Sequence, residues 1–96
     1  IIDYSFTVGF PHQKNVTNNE LIEECITVAI EKFYEKHKNL LPKKPEASMS
    51  KMDRLGREVI IRMFFPEGMS DKFYDIQPEL LQEILNSWDN FMIKKN

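Results

Sequence analysis

One cysteine, three glycines and two histidines in 96 residues leave the chain short of the parts that most often build disulfides, phosphate loops and metal sites. A lone Cys25 cannot close an internal disulfide, so the expected compartment is reducing, the cytoplasm. With so few glycines there is no glycine-rich phosphate loop, no dinucleotide fingerprint and no Gly-x-Ser-x-Gly nucleophile elbow. His12, Cys25 and His37 stand far apart and share no ligand spacing, and the reading therefore expects no metal and no cofactor. No apolar run approaches the roughly 20 residues that cross a bilayer, and no charged-then-apolar leader opens the chain, so no membrane partner is expected. The chain begins with Ile1 rather than Met, the start expected of a piece of a longer polypeptide.

What is present suits one small globular domain spanning 1–96. Hydrophobic residues make up 42% and charged residues 29%, enough apolar surface for a single core and too much for disorder. The formal net charge is −2, but it is unevenly spread. Between Lys36 and Arg62 the basic residues Lys36, Lys38, Lys43, Lys44, Lys51, Arg54, Arg57 and Arg62 face only Glu46, Asp53 and Glu58. This basic segment, 36–62, can steer the chain toward an acidic surface.

Three stretches declare their structure by period. Tyr4, Phe6, Val8 and Phe10 alternate with small or polar residues, the signature of a half-buried strand near 4–10 that stops at Pro11. From Thr17 to Lys38 the pattern is helical, with Thr17, Asn18 or Asn19 to cap the first amides, glutamates early, and Lys36, His37 and Lys38 late, where the helix dipole favours cations. Its apolar arc, from Leu21 through Cys25 and Ile30 to Phe33, covers about half the circumference. Pro42 to Ser48 reads as a solvated connector, and Phe73, Tyr74 and Ile76 read as a loop tucked under the core. A last amphipathic helix is predicted from Pro78 onward, with Leu80, Leu81, Ile84, Leu85, Trp88, Phe91 and Met92 in one arc.

The segment Arg54–Gly68, "RLGREVIIRMFFPEG", supports two readings. As a helix over 51–65, Met52, Leu55, Val59, Ile60 and Met63 make a stripe at i, i+3, i+4 spacing, and Ser50 with Asp53 resembles a capping box. Gly56 and the β-branched run Val59–Ile61 oppose it. Because the periodicity begins at Met52, the helix is preferred. The expected fold is then mainly α: a three-helix domain with an extended N-terminal segment and a core of Leu21, Cys25, Val28, Met52, Val59, Leu80, Ile84 and Trp88. The alternative is α+β, a β-α-β-α order with strands near 4–10 and 58–65.

On such a helix Arg54, Arg57, Ile61 and Phe65 would share the face away from the core, mixing guanidinium groups with exposed apolar side chains as protein interfaces do. The expected function is therefore a non-enzymatic protein-interaction module, an adaptor, inhibitor or immunity-type factor, whose partner is another protein or a second copy. The edge of Tyr4–Phe10 is a second candidate for self-association. The alternative function is nucleic-acid binding through the basic segment, with Lys43, Lys44 and Lys51 tracking phosphates. No catalytic set is found: Cys25 lies on an apolar arc, and the glutamates of the first helix form a solvated face. Asn15-Val16-Thr17 matches the N-glycosylation triplet and is read as part of the capping loop.

Overall fold

The computed structural model describes residues 1–11, 19–53 and 56–95. The chain runs β1 (Ile2–Pro11), α1 (Asn19–His37), β2 (Glu46–Asp53), β3 (Gly56–Phe65) and α2 (Asp71–Lys95). Three antiparallel strands form one sheet in the order β1-β3-β2, with β3 in the centre. Ser5 lies opposite Arg62, Phe6 opposite Ile61 and Gly9 opposite Glu58.

The strand alternation sorts the two faces. Val8 and Phe10 of β1 and Val59, Ile61, Met63 and Phe65 of β3 are buried against the helices, with Tyr4 and Phe6 half-buried at the sheet's margin. On the other face Ser5, Thr7, Ser48, Glu58, Ile60 and Arg62 are exposed. Phe64 is the exception there: Lys43 Nζ stands 4.3 Å from its ring centre and the Arg62 guanidinium 5.5 Å, so two cations roof an aromatic face that water would otherwise reach. Arg62 also donates to Asp3 Oδ2 at 2.6 and 2.9 Å, joining β3 to β1 on that surface.

Both helices lie on the buried face. α1 contributes Ile22, Cys25, Ile26, Ala29, Ile30 and Phe33, and α2 contributes Ile76, Leu80, Ile84 and Trp88. The helices are antiparallel neighbours: His37 Nε2 is 2.6 Å from Glu79, Lys36 donates to Glu83 at 3.1 Å, and the Cys25 thiol donates to the Ile84 carbonyl at 3.5 Å. α2 sits over β1, since Phe73 stacks on Tyr4 at 5.1 Å and Trp88 meets Phe10 edge-on at 5.0 Å.

The three-helix expectation is overturned. Residues 51–53 end β2 and residues 56–65 form β3, and among the described residues the fold is α+β with two helices. Two physical terms decide it. Gly56 has φ of 140°, a conformation closed to a helix and rarely adopted by residues with a Cβ. The run Val59-Ile60-Ile61 is stiff at χ1 and suits a pleated surface, and as the central strand it gains hydrogen-bonded neighbours on both sides. The alternative order, with strands near 4–10 and 58–65, contains no strand at Glu46–Asp53, where the sequence predicts a connector and the start of a helix.

α2 begins at Asp71, seven residues before Pro78, which therefore lies inside the helix. Pro78 removes an amide and disfavours helix at Gln77, yet Phe73 and Ile76 ahead of it are held by the core. Phe73 contacts Tyr4, Phe6 and Phe65, and Ile76 is buried. The supposed loop is thus the first two turns of α2, entered through a turn that Met69 closes by donating to the Pro66 carbonyl at 3.2 Å, with Gly68 at φ 82° where such turns favour glycine. Of the expected core, Cys25, Val59, Leu80, Ile84 and Trp88 are buried, and Leu21 and Val28 are half-buried. The cap candidates Thr17 and Asn18, the Asn15-Val16-Thr17 triplet and His12 lie outside the described residues.

Candidate functional site

The residues expected on one outer helical face do not share a face. Ile61 and Phe65 are 0% exposed, sealed in the core beneath the helices. Arg57 is half-buried on β3, opposite Phe10 on one side and Met52 on the other. Arg54 lies outside the described residues. A strand turns alternate residues the same way, so Arg57, Ile61 and Phe65 all point toward the helix layer, where a helix would have lifted them into solvent.

The basic segment is laced with carboxylates. Lys36 pairs with Glu83 at 3.1 Å, Lys38 with Glu35 at 3.1 Å, Lys43 with Glu46 at 2.9 Å, Lys44 with Glu31 at 3.5 Å and Arg62 with Asp3 at 2.6 Å. These pairs are solvent-exposed and individually weak, but each sets a negative charge beside the positive one and flattens the field a phosphate track would need. Lys51 belongs to β2. Among the described residues no three His, Cys, Asp or Glu side chains gather as a metal site would, and no helix is long and apolar enough to cross a membrane.

A groove lies between α1 and β2 among the described residues. The helix-facing surface of β2 is thinly covered: Ala47 is exposed and Met49 half-exposed, although their cross-strand partners Ile61 and Val59 are fully buried. Two adjoining depressions of about 250 and 220 Å³ occupy the gap. The first is lined by Ile26, Ala47, Met49 and Val59, with Glu23 and Thr27 on its rim. The second is lined by Ile26, Ile30, Pro45 and Ala47, with Thr27, Glu31 and Lys44 around it.

The two depressions are offset along β2 and α1. Moving from the first to the second shifts the floor from Met49 toward Pro45 and the wall by about one turn of α1, and the two depressions share Ile26, Thr27 and Ala47. Same-face side chains of an extended chain are about 6.6 Å apart, and one helical turn rises about 5.4 Å. Beside the groove, β2 is a sheet edge that pairs with β3 alone among the described residues. Its regular part, Glu46–Met49, ends at a register shift between Met49 and Met52. Among the described residues the outer edge of β2 therefore has no strand beside it along the groove, and its ladder is irregular after Met49.

Sequence reasoning missed this site because β2 was read as a connector. The signal was weak: only Ala47 and Met49 mark the helix-facing side of Glu46–Met49, too short an alternation to declare a strand. No family model matches the chain, and neither a curated protein nor a solved structure does.

Proposed function

We propose that the chain is a non-enzymatic protein-interaction module that takes up an extended segment of a partner protein by strand addition along Glu46–Met49. The main-chain groups of the β2 edge would supply affinity, and the two depressions beside α1 would accept alternate side chains of the added strand. The supporting observation is the coincidence of a sheet edge that has no described strand beside it with two partly apolar hollows offset along β2. Ile26, Ile30, Ala47 and Met49 favour aliphatic side chains in both hollows. The Glu23 carboxylate on the rim favours a Lys or Arg at the neighbouring end of the segment.

Selection of random peptides displayed on phage tests this reading. The expected yield is a motif of two apolar residues separated by one, flanked by a basic residue. Synthetic versions should move the amide resonances of Glu46–Met49 and of Ile26–Ile30, and Thr27→Arg, at an exposed position on the rim, should abolish binding without unfolding the domain. Peptides that bind equally well to Thr27→Arg, or that perturb only distant amides, would refute the groove as the site.

A further inference from the structure

α2 carries the signals of two helix starts. One is used: the helix begins at Asp71, after the turn that Met69 closes onto the Pro66 carbonyl. The other lies seven residues on, inside the helix, at Pro78. Proline is favoured at the first position of a helix, where its missing amide has no partner to lose, and Glu79 directly after it suits the positive end of the helix dipole. In a helix interior the same residue is a defect: Pro78 has no amide for the Tyr74 carbonyl one turn back, and its ring crowds that carbonyl. The longer helix therefore forms against a preference of its own sequence, and its first two turns need a hold from outside the helix.

Within residues 71–77 that hold rests on two apolar side chains. Asp71, Lys72, Tyr74 and Asp75 are exposed, whereas Ile76 is buried and Phe73 half-buried. Phe73 stacks on Tyr4 at 5.1 Å and meets Phe65 at 6.2 Å and Phe6 at 6.5 Å, closing an aromatic hollow whose floor, Phe65, is fully buried. Beyond Pro78 the anchoring is of another kind. Leu80, Ile84 and Trp88 are buried, and His37 and Lys36 of α1 hold Glu79 and Glu83. Gly68, at φ 82°, stands at the other end of the segment, where a residue without a Cβ can take the angles that a hinge passes through.

From these observations we infer that residues 71–77 are a strap that opens as one unit, hinged at Gly68 and Pro78, uncovering Tyr4, Phe6 and Phe65 while a shorter helix that starts at Pro78 stays docked on α1. Opening gives up the burial of Phe73 and Ile76, and in return it relieves the crowding at Pro78 and turns a helix-interior proline into a favoured first residue. The opened form therefore lies below global unfolding. An ordinary helix end frays residue by residue from its tip. This one already has its break at Pro78, so the bonds ahead of the break are released together.

Amide exchange of the whole chain at low urea concentrations tests the inference. In the closed strap the amides of Asp75, Ile76 and Gln77 bond one turn back. All three should exchange at one shared protection, about 100-fold below that of the Ile84 and Trp88 amides, and with a shallower urea dependence. Pro78→Ala gives the Tyr74 carbonyl its amide and removes the second start, so exchange of the three should slow by about 10–100-fold. Phe73→Leu loses the ring contacts with Tyr4 and Phe65 but keeps an apolar side chain, and should speed it by about fivefold. Exchange of the three amides only with the rate and urea slope of Ile84, protection that rises residue by residue away from Asp71, or a Pro78→Ala chain whose strap exchanges as fast as before would each overturn the proposal. None of these results touches the groove at β2, which Thr27→Arg tests separately.

Discussion

Ile60 and Ile61 are adjacent, chemically identical and oppositely placed, and truncating each to alanine separates a strand from a helix in one experiment. On β3, Ile61 is 0% exposed beneath the helices, whereas Ile60 is 41% exposed on the open face between Thr7 and Ser48. Removing a fully buried isoleucine to Cβ costs about 2–5 kcal/mol, because the transfer term is joined by a cavity that the centre of a sheet cannot close. Removing Ile60 costs about 1 kcal/mol or less, made up of partial burial and a modest loss of strand propensity. The difference, about 2–3 kcal/mol, corresponds to roughly 10–20 °C in Tm for a domain of this size. Urea unfolding followed by Trp88 fluorescence should show Ile61→Ala with a much lower midpoint, Ile60→Ala close to the unaltered chain, and slopes alike in both. A helical 51–65 demands the reverse order, since Ile60 would then belong to the core stripe and Ile61 to the surface. Equal losses, or the larger loss at Ile60, would refute the packing described here.

Two further perturbations probe the frame of the fold. Gly56→Ala forces a Cβ onto a residue with φ of 140°, and the strain should lower stability by about 1–3 kcal/mol in the same urea assay; an unchanged midpoint would show that the β2–β3 connection takes another shape. Burial pushes the Cys25 thiol from 9.0 up to about 12, so between those values the folded chain keeps a proton that the unfolded chain has lost. The stability tied to that proton is complete below pH 9 and drains away as pH rises toward 12, by about 2 kcal/mol at pH 10.5. Comparing the native chain with Cys25→Ala at pH 8 and pH 10.5 isolates this contribution, and parallel losses in the two would mean that the thiol is not enclosed.

The elements that the sequence announced clearly are those whose apolar pattern has one partner layer. β1 buries one face, and its alternation from Tyr4 to Phe10 is legible; α1 and the later part of α2 carry long apolar arcs with nothing ambiguous about their period. β3 was misread because a central strand with a buried Phe64 on its outer face loses the alternation that would identify it. The apolar residues Val59, Ile60, Met63 and Phe64 then match a helical spacing by coincidence. That coincidence is extended by Met52, which belongs to the end of β2, and by Leu55, which lies outside the described residues. Gly56 and the β-branched run Val59–Ile61 are the local signals for the strand, and pairing with Ile2–Pro11, some fifty residues away, reinforces them with information that no local window contains.

The exposed apolar surfaces were hidden for a different reason. A helical wheel shows which residues of α2 are apolar but not which of them the rest of the chain covers. The arc from Leu80 to Met92 was read as one core stripe, and it is two: Leu80, Ile84 and Trp88 are buried, while Leu81 and Leu85 lie beside them on the flank away from α1. The groove is hidden in the same way, because the exposure of Ala47 and Met49 depends on where α1 lies above the sheet, and α1 walls the gap without covering them. Thr27 and Met49 line the same depression, so a larger apolar side chain there, Thr27→Leu, should fill it and shield Met49. Amide exchange over Glu46–Met49 should then slow, and unchanged exchange would show that Thr27 does not face β2.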